Sequence, residues 1–281
     1  MTRKQMKAQA KSLMRNSKPK PVLVTIVYVV ILMVIAVLSY KLVGEPLAKA
    51  YAAVMGSSGL YDANGLLRPD AYDMINNIDF DAFFAALTRE GPAPMARLLD
   101  LLLAAVVAVI GAGFVIFTLR TIDGSGASYW NLFDGFAMFF RIIWLYIVEG
   151  FFIFLWSLLF FFPGIIAMYR YRMAIYLLLE HPEMSVMDCI RESKRLMSGH
   201  KWELFVFDLS FFGWALLIGF VDGFGASLGI TLLGVSVLGY VGYVFLLPYM
   251  NLSYSLYYRQ LTAVPASGAG DEWTPELRGT L

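Results

Sequence analysis

The chain has 281 residues, 59% of them hydrophobic and 15% charged, and a net charge of +1. A soluble domain is about 45–50% apolar and about 25% charged, so one globular core of this size cannot absorb the excess. Composition therefore excludes an ordinary soluble domain and points to an all-α, polytopic integral membrane bundle.

In chain order, residues 1–21 form a basic amphipathic segment, MTRKQMKAQAKSLMRNSKPKP. The apolar run 22–40 that follows is longer than the ~7–15 residues of a signal-peptide core. No small-x-small site clearly ends it, Ala48-Lys49-Ala50 being the nearest. The run is read as a retained first span. Apolar segments at about 22–43, 98–119, 142–162, 164–180, 203–221 and 227–249 approach the ~20 residues that cross the hydrocarbon core. They give a membrane domain over 22–262 with six transmembrane helices, an extracytoplasmic loop at about 44–97 and a disordered cytoplasmic tail at 263–281. Between spans three and four lie only Pro163 and Gly164. One continuous helix from 142 to 180 would be about 58 Å long, so a hairpin turning at these two residues is expected.

Lysine and arginine set the sides. Arg3, Lys4, Lys7, Lys11, Arg15, Lys18 and Lys20 precede span one, and Arg191, Lys194, Arg195 and Lys201 lie between spans four and five. The turns at 163–164 and 222–226 carry neither residue type. The positive-inside rule places both termini and the basic loops in the cytoplasm. Within the outer loop, Phe80, Phe83, Phe84 and Leu87 share one helical face behind a cap at Asp79. That helix either packs on the outer ends of the spans or lies as a lid in the outer leaflet.

Two basic stretches resemble each other. KSLMRNSK at 11–18 and KRLMSGHK at 194–201 share lysine, leucine, methionine and lysine at equal spacing, and each runs into a span. In the second, Met187, Ile190, Lys194 and Met197 share a face, with Ser185 as N-cap. Both read as interfacial amphipathic helices. Their cations, Arg191, Lys194, Arg195 and Lys201 in the second copy, would meet anionic lipid headgroups at about 1 kcal/mol each. Trp130, Trp144 and Trp202, with Tyr249, Tyr254, Tyr257 and Tyr258, read as interfacial anchors. Gly225 and Gly229 have the GxxxG spacing that lets helices approach closely, read as packing of span five on span six.

Four ionisable residues fall inside the spans: Glu149, Arg170, Arg172 and Asp208. Glu149 and Asp208 lie roughly 11 Å and Arg172 roughly 13 Å from the inner ends of their spans. Three charges of mixed sign thus share a depth on spans three, four and five. Arg170 sits about 3 Å higher and about 200° around the helix, without an evident partner. The cluster is either an ion-pair clamp joining three spans or a polar cavity that binds an anionic solute or relays protons.

The run LFDGF (132–136), PGIIAMYRYRMA (163–174), LLEHPEMS (178–185) and RESKRLMSGHKWELFVFDLSFFGW (191–214), led by AKSLMRN (10–16), resembles the bacterial integral-membrane family labelled domain of unknown function 975. The resemblance covers about 6–262 and is most specific over 163–214. It implies a multi-spanning protein of the bacterial cytoplasmic membrane and supplies no reaction, ligand or catalytic residue.

No P-loop, HExxH or nucleophile elbow occurs, and one cysteine, Cys189, with two histidines, His181 and His200, does not suit a tetrahedral metal site. No cofactor, catalytic residue or nucleic-acid partner is expected. The expected function is non-enzymatic: passage or handling of a small solute or lipid at the charged site. The alternative is a structural or regulatory partner of another membrane complex, acting through the basic helices. A membrane enzyme on lipid-linked substrates would need a nucleophile or metal set that the sequence does not display.

Overall fold

The computed structural model describes residues 2–57, 85, 88, 89, 91–233 and 235–263. The expected outer-loop helix on Phe80, Phe83, Phe84 and Leu87, its cap Asp79, and the tail beyond 263 lie outside the described residues.

Helix α1 (Arg3–Asn16) opens on a capping box between Thr2 and Gln5. Helix α2 (Pro21–Ser39) starts on a proline, whose missing N–H costs nothing there. It passes through a π turn, Tyr40–Gly44, into α3 (Glu45–Ser57). The first span thus runs well past its expected end near 43, and the Ala48-Lys49-Ala50 site lies inside a helix. Two physical reasons can be named. Glu45 pairs one turn away with Lys41 and Lys49, at 2.8 and 3.1 Å. Gly44 gives the Tyr40 ring room where a Cβ would stand 2.7 Å from it.

Then follow α4 (Pro94–Asp123), the short α5 (Asn131–Asp134) with a 3₁₀ turn Gly135–Met138, and α6 (Phe139–Leu159). Next come α7 (Phe161–Tyr171), α8 (Ala174–Glu180), α9 (Val186–Leu196), α10 (Lys201–Ser227) and α11 (Leu238–Ala263). A two-residue antiparallel pairing, β1 (Thr231–Leu232) with β2 (Val235–Ser236), joins the last two helices.

Among the described residues, four stretches are long and apolar enough to cross a membrane: Pro21–Tyr51, Pro94–Asp123, Asn131–Leu159 and Lys201–Ser227. The expected fourth span is broken into α7 and α8. The expected sixth, α11, has 26 residues but intersperses Tyr, Ser and Asn among its apolar residues. Helix α4 is the central element, with 44% of its most apolar 18-residue stretch buried against 11–17% for the other three; it packs on α2, α5, α6 and α11. Large apolar side chains such as Phe140, Leu158 and Phe220 face outward, 84%, 73% and 74% exposed. The core holds the aromatics Phe207, Phe211, Tyr254, Tyr257 and Tyr258.

Glycines set two of the close approaches. A Cβ at Gly113 would overlap the Leu132 carbonyl and stand 2.8 Å from the Asn131 carbonyl oxygen, and one at Gly135 would stand 2.5 Å from the Val109 carbonyl oxygen. The LFDGF segment therefore lies backbone against backbone on α4. Arg120 fastens it through Asp134 at 3.1 Å, and Asn131 donates to the same carboxylate at 2.7 Å.

The hairpin between spans three and four is present, but its reversal lies upstream of Pro163 and Gly164. Phe160 alone is extended, at φ −163° and ψ 155°. Pro163 falls in the first turn of α7, where its missing N–H has no intrahelical duty. Gly164 lies flush on α6, where a Cβ would overlap the Ser157 hydroxyl.

The join between spans five and six also differs from expectation. Helix α10 continues to Ser227 and ends in a Schellman motif. Ile230 N–H reaches the Gly225 carbonyl at 2.9 Å, Gly229 N–H reaches that of Ala226 at 3.0 Å, and Gly229 is left-handed at φ 77°. The GxxxG pair is therefore split. Gly225 makes room for Leu238 of α11, as read from the sequence, whereas Gly229 ends the helix. Asp222, expected in the turn, lies inside α10 and caps α11, accepting from Gly239 N–H and the Ser236 hydroxyl, each at 2.6 Å. The sixth helix thus starts eleven residues later than the expected 227, at Leu238.

Candidate functional site

The site begins at a broken helix. Between α7 and α8 the helical ladder opens at Arg172 and Met173. Met173 N–H donates to Ser193 Oγ at 3.2 Å, and that hydroxyl donates to the Arg170 carbonyl at 2.9 Å. Ser193 belongs to α9 and is fully buried. Its hydroxyl thus occupies the place where a continuous helix would bond Met173 to Tyr169 and Ala174 to Arg170. Both backbone groups stay satisfied, and Arg172 is left at the gap.

Arg172 keeps solvent-accessible surface within densely packed surroundings, its guanidinium 5.0 Å above the Tyr254 ring of α11. Asp208 of α10 accepts from the Tyr169 hydroxyl at 3.0 Å. On α11, Ser255, beside Tyr254, is bonded to Thr118 of α4 at 2.8 Å. Glu149 of α6 lies within the electrostatic reach of Arg172, as does Asp208. Helices α10 and α11 and the α7–α8 break therefore meet near this guanidinium.

The expected ion-pair trio does not close. Among the described residues, neither carboxylate lies within 4.0 Å of the Arg172 guanidinium, which rests on a tyrosine ring instead. Glu149 Oε1 and Asp208 Oδ1 are both buried without a hydrogen-bond partner. An unsatisfied buried acceptor costs about 1–3 kcal/mol, more when charged, so the arrangement holds unmet valence. Arg170 shares none of this. Its carbonyl serves Ser193, and among the described residues its guanidinium has no ion-pair partner.

The tyrosines were the missed component. Tyr169 and Tyr176 stand three residues before and four after Arg172, on one helical face, and that spacing is legible in the sequence. Tyr254, Tyr257 and Tyr258, expected as interfacial anchors, are 5%, 0% and 0% exposed and belong to the core. Trp130 and Trp202 do face outward.

Below the centre lies a polar layer. Arg259 of α11 pairs with Asp123 of α4 and Glu180 of α8, and Tyr258 donates to Glu180 at 2.8 Å. Arg141 donates to the carbonyls of Pro182 and Met184.

The two basic helices dock by their apolar faces. On α9 the buried face is Val186, Cys189, Ile190, Ser193 and Met197, whereas Met187, expected beside them, is exposed. Ser185 caps the helix through Asp188 N–H at 3.2 Å. Arg191 and Arg195 are paired along the helix with Asp188 and Glu192, which reduces the charge they offer to headgroups. Lys194 lies 5.7 and 5.6 Å over the rings of Phe152 and Tyr171. Lys201 is half-buried at the start of α10. On α1, Met6 and Ala10 are buried, and Lys7 sits 4.3 Å over Phe211 and bonds Ser210.

Among the described residues no three His, Cys, Asp or Glu side chains converge as a metal set. His181 and His200 contact Glu183 and Glu203, each at 3.2 Å. Burial pushes the Cys189 thiol up to about 11, so it is protonated and slow to react at neutral pH.

Residues 161–264 match the model of a family described as "Protein of unknown function (DUF975)". Over that stretch the resemblance drawn from sequence holds; the LFDGF and AKSLMRN segments lie outside it. The matched region runs from α7 to the end of α11. It holds Arg170, Arg172, Ser193, Asp208 and Tyr254, and excludes Glu149. No curated protein and no solved structure matches the chain.

Proposed function

We propose that this chain is a six-span, non-enzymatic protein of the bacterial cytoplasmic membrane. In this reading both termini are cytoplasmic, and the protein handles a small solute or lipid headgroup at the Arg172 centre. The spans in this reading are the four long apolar helices, the α7–α8 pair descending beside α6, and α11 packed along α2, α4 and α10. One observation carries the site. Arg172 keeps solvent-accessible surface at a helix break without a carboxylate partner, while Glu149 and Asp208 each keep a buried oxygen unbonded. A clamp would have used these groups on one another. A binding centre leaves them for a ligand, and ionisable groups at membrane depth mark such pathways.

Accessibility tests this reading. Glu149→Cys, at a half-buried position, is expected to react with a small, hydrophilic maleimide in membranes, and Leu145→Cys and Leu178→Cys, at fully buried positions, are not. Native Cys189 can stay in place, because it is buried and its thiol is protonated. A Glu149→Cys reporter no faster than Leu145→Cys would sink the reading and restore the clamp. The alternative, a regulatory partner of another complex, draws on the outward faces of α1 and α9. The pairing of Arg191 and Arg195 within α9 weakens it.

A further inference from the structure

We infer that the Arg172 centre takes a zwitterion, with an acid group on Arg172 and an ammonium group drawn to the unbonded carboxyl oxygens of Glu149 and Asp208. This rests on the reading that the centre binds a ligand. Three observations lead to it.

The first is charge. Asp208 accepts a hydrogen bond from Tyr169. One guanidinium and two carboxyl groups, Asp208 and Glu149, carry the charge chemistry of the centre. A bare anion drawn to Arg172 would face two carboxyl groups. A bare cation drawn to the carboxyl groups would face Arg172. A molecule with both signs leaves the total unchanged and pairs each group.

The second is unmet valence of both kinds. The Tyr254 ring covers one face of the guanidinium, and no carboxylate takes its N–H edge, whose planar fork fits an acid group. Glu149 Oε1 and Asp208 Oδ1 can only accept when ionised; Glu149 Oε1 has no donor, and Asp208 Oδ1 has the Tyr254 hydroxyl nearby without a well-formed hydrogen bond. An ammonium supplies three donors.

The third is the lining. Tyr254 lies under the Arg172 guanidinium and Tyr169 donates to Asp208, and tyrosine faces attract an ammonium as they do the guanidinium already placed on one of them. The ligand class is therefore a small molecule or headgroup bearing an amine and an acid, either a free amino acid or phosphoethanolamine, or an aminophospholipid.

The experiment uses the full chain in nanodiscs, with binding read by thermal shift and by titration. In the soluble arm the probes are glycine, phosphoethanolamine, N-acetylated phosphoethanolamine and inorganic phosphate. In the lipid arm, phosphatidylethanolamine discs are compared with phosphatidylglycerol and phosphatidylcholine discs. The inference expects a zwitterionic probe to bind at least tenfold more tightly than its acetylated form and than phosphate, or ethanolamine discs to give the higher melting temperature. The responding arm identifies the source. Glu149→Gln and Asp208→Asn, which keep side-chain shape, are expected to remove that preference while the protein stays folded. Phosphate binding as tightly as phosphoethanolamine, unchanged in both variants, would overturn the zwitterion and leave an anion site at Arg172. No preference in either arm also overturns it. If the Glu149→Cys reporter is unreactive as well, the site itself falls.

Discussion

Gly113→Ala is expected to destabilise the bundle by about 3 kcal/mol or more, at the upper end of what overpacking a core costs. The added carbon meets backbone: it would overlap the Leu132 carbonyl and stand 2.8 Å from that of Asn131. Side chains can rotate away, but α5 cannot. Leu132 is fully buried, Asp134 is tied to Arg120, and Gly135 is already in contact with α4 on the same face. Gly150→Ala and Gly213→Ala are the controls. Nothing stands within 4 Å of a Cβ at either position, and alanine favours helix by about 1 kcal/mol over glycine. Melting curves in detergent decide the matter; equal midpoints for Gly113→Ala and Gly150→Ala would refute the backbone contact.

Ser193→Ala is expected to cost about 1–3 kcal/mol and, more tellingly, to alter the Arg172 centre from another helix. The hydroxyl both accepts from Met173 N–H and donates to the Arg170 carbonyl. Without it those groups lose their partner, and a continuous helix is the nearest way to regain one. Closing the ladder turns Arg172 relative to Tyr254. The readout is the labelling rate of the Glu149→Cys reporter in the Ser193→Ala background, expected to change at least threefold. A hydroxyl that merely filled space would lower stability and leave that rate alone. Ser193→Thr, which keeps the hydroxyl, is expected to retain the rate.

Depth arithmetic could set Glu149, Arg172 and Asp208 at a similar level, because helical rise is uniform. Their failure to touch could not be read that way. It depends on Tyr254, which hydropathy and position assign to the interface, and on its ring lying over the guanidinium. Ser193 left no signal, since a lone serine on a basic amphipathic helix has no periodic partner. Pro163 and Gly164 marked the right hairpin for the wrong reason. They look like turn residues, yet one tolerates a first helical turn and the other admits Ser157. The start of α11 was hidden because 228–237 is as apolar as a span; only Gly229, as a left-handed stop, punctuates it.

In the six-span reading proposed above, the tight join at Phe160 bears on how the chain enters the bilayer during synthesis. Helix α7 has eleven residues before the break, too few to cross alone, and Arg170 and Arg172 each oppose partitioning by ~2.5–3.5 kcal/mol at mid-depth. Helix α6 is strongly apolar and joined to α7 by a single extended residue, with Gly164 seated on Ser157. The pair can therefore leave the translocon only as one unit, the greasy arm carrying in the charged one. In a glycosylation-reporter insertion assay, 139–180 is expected to integrate as a hairpin and 161–180 alone to fail. Independent integration of 161–180 would show that the arginines need no escort.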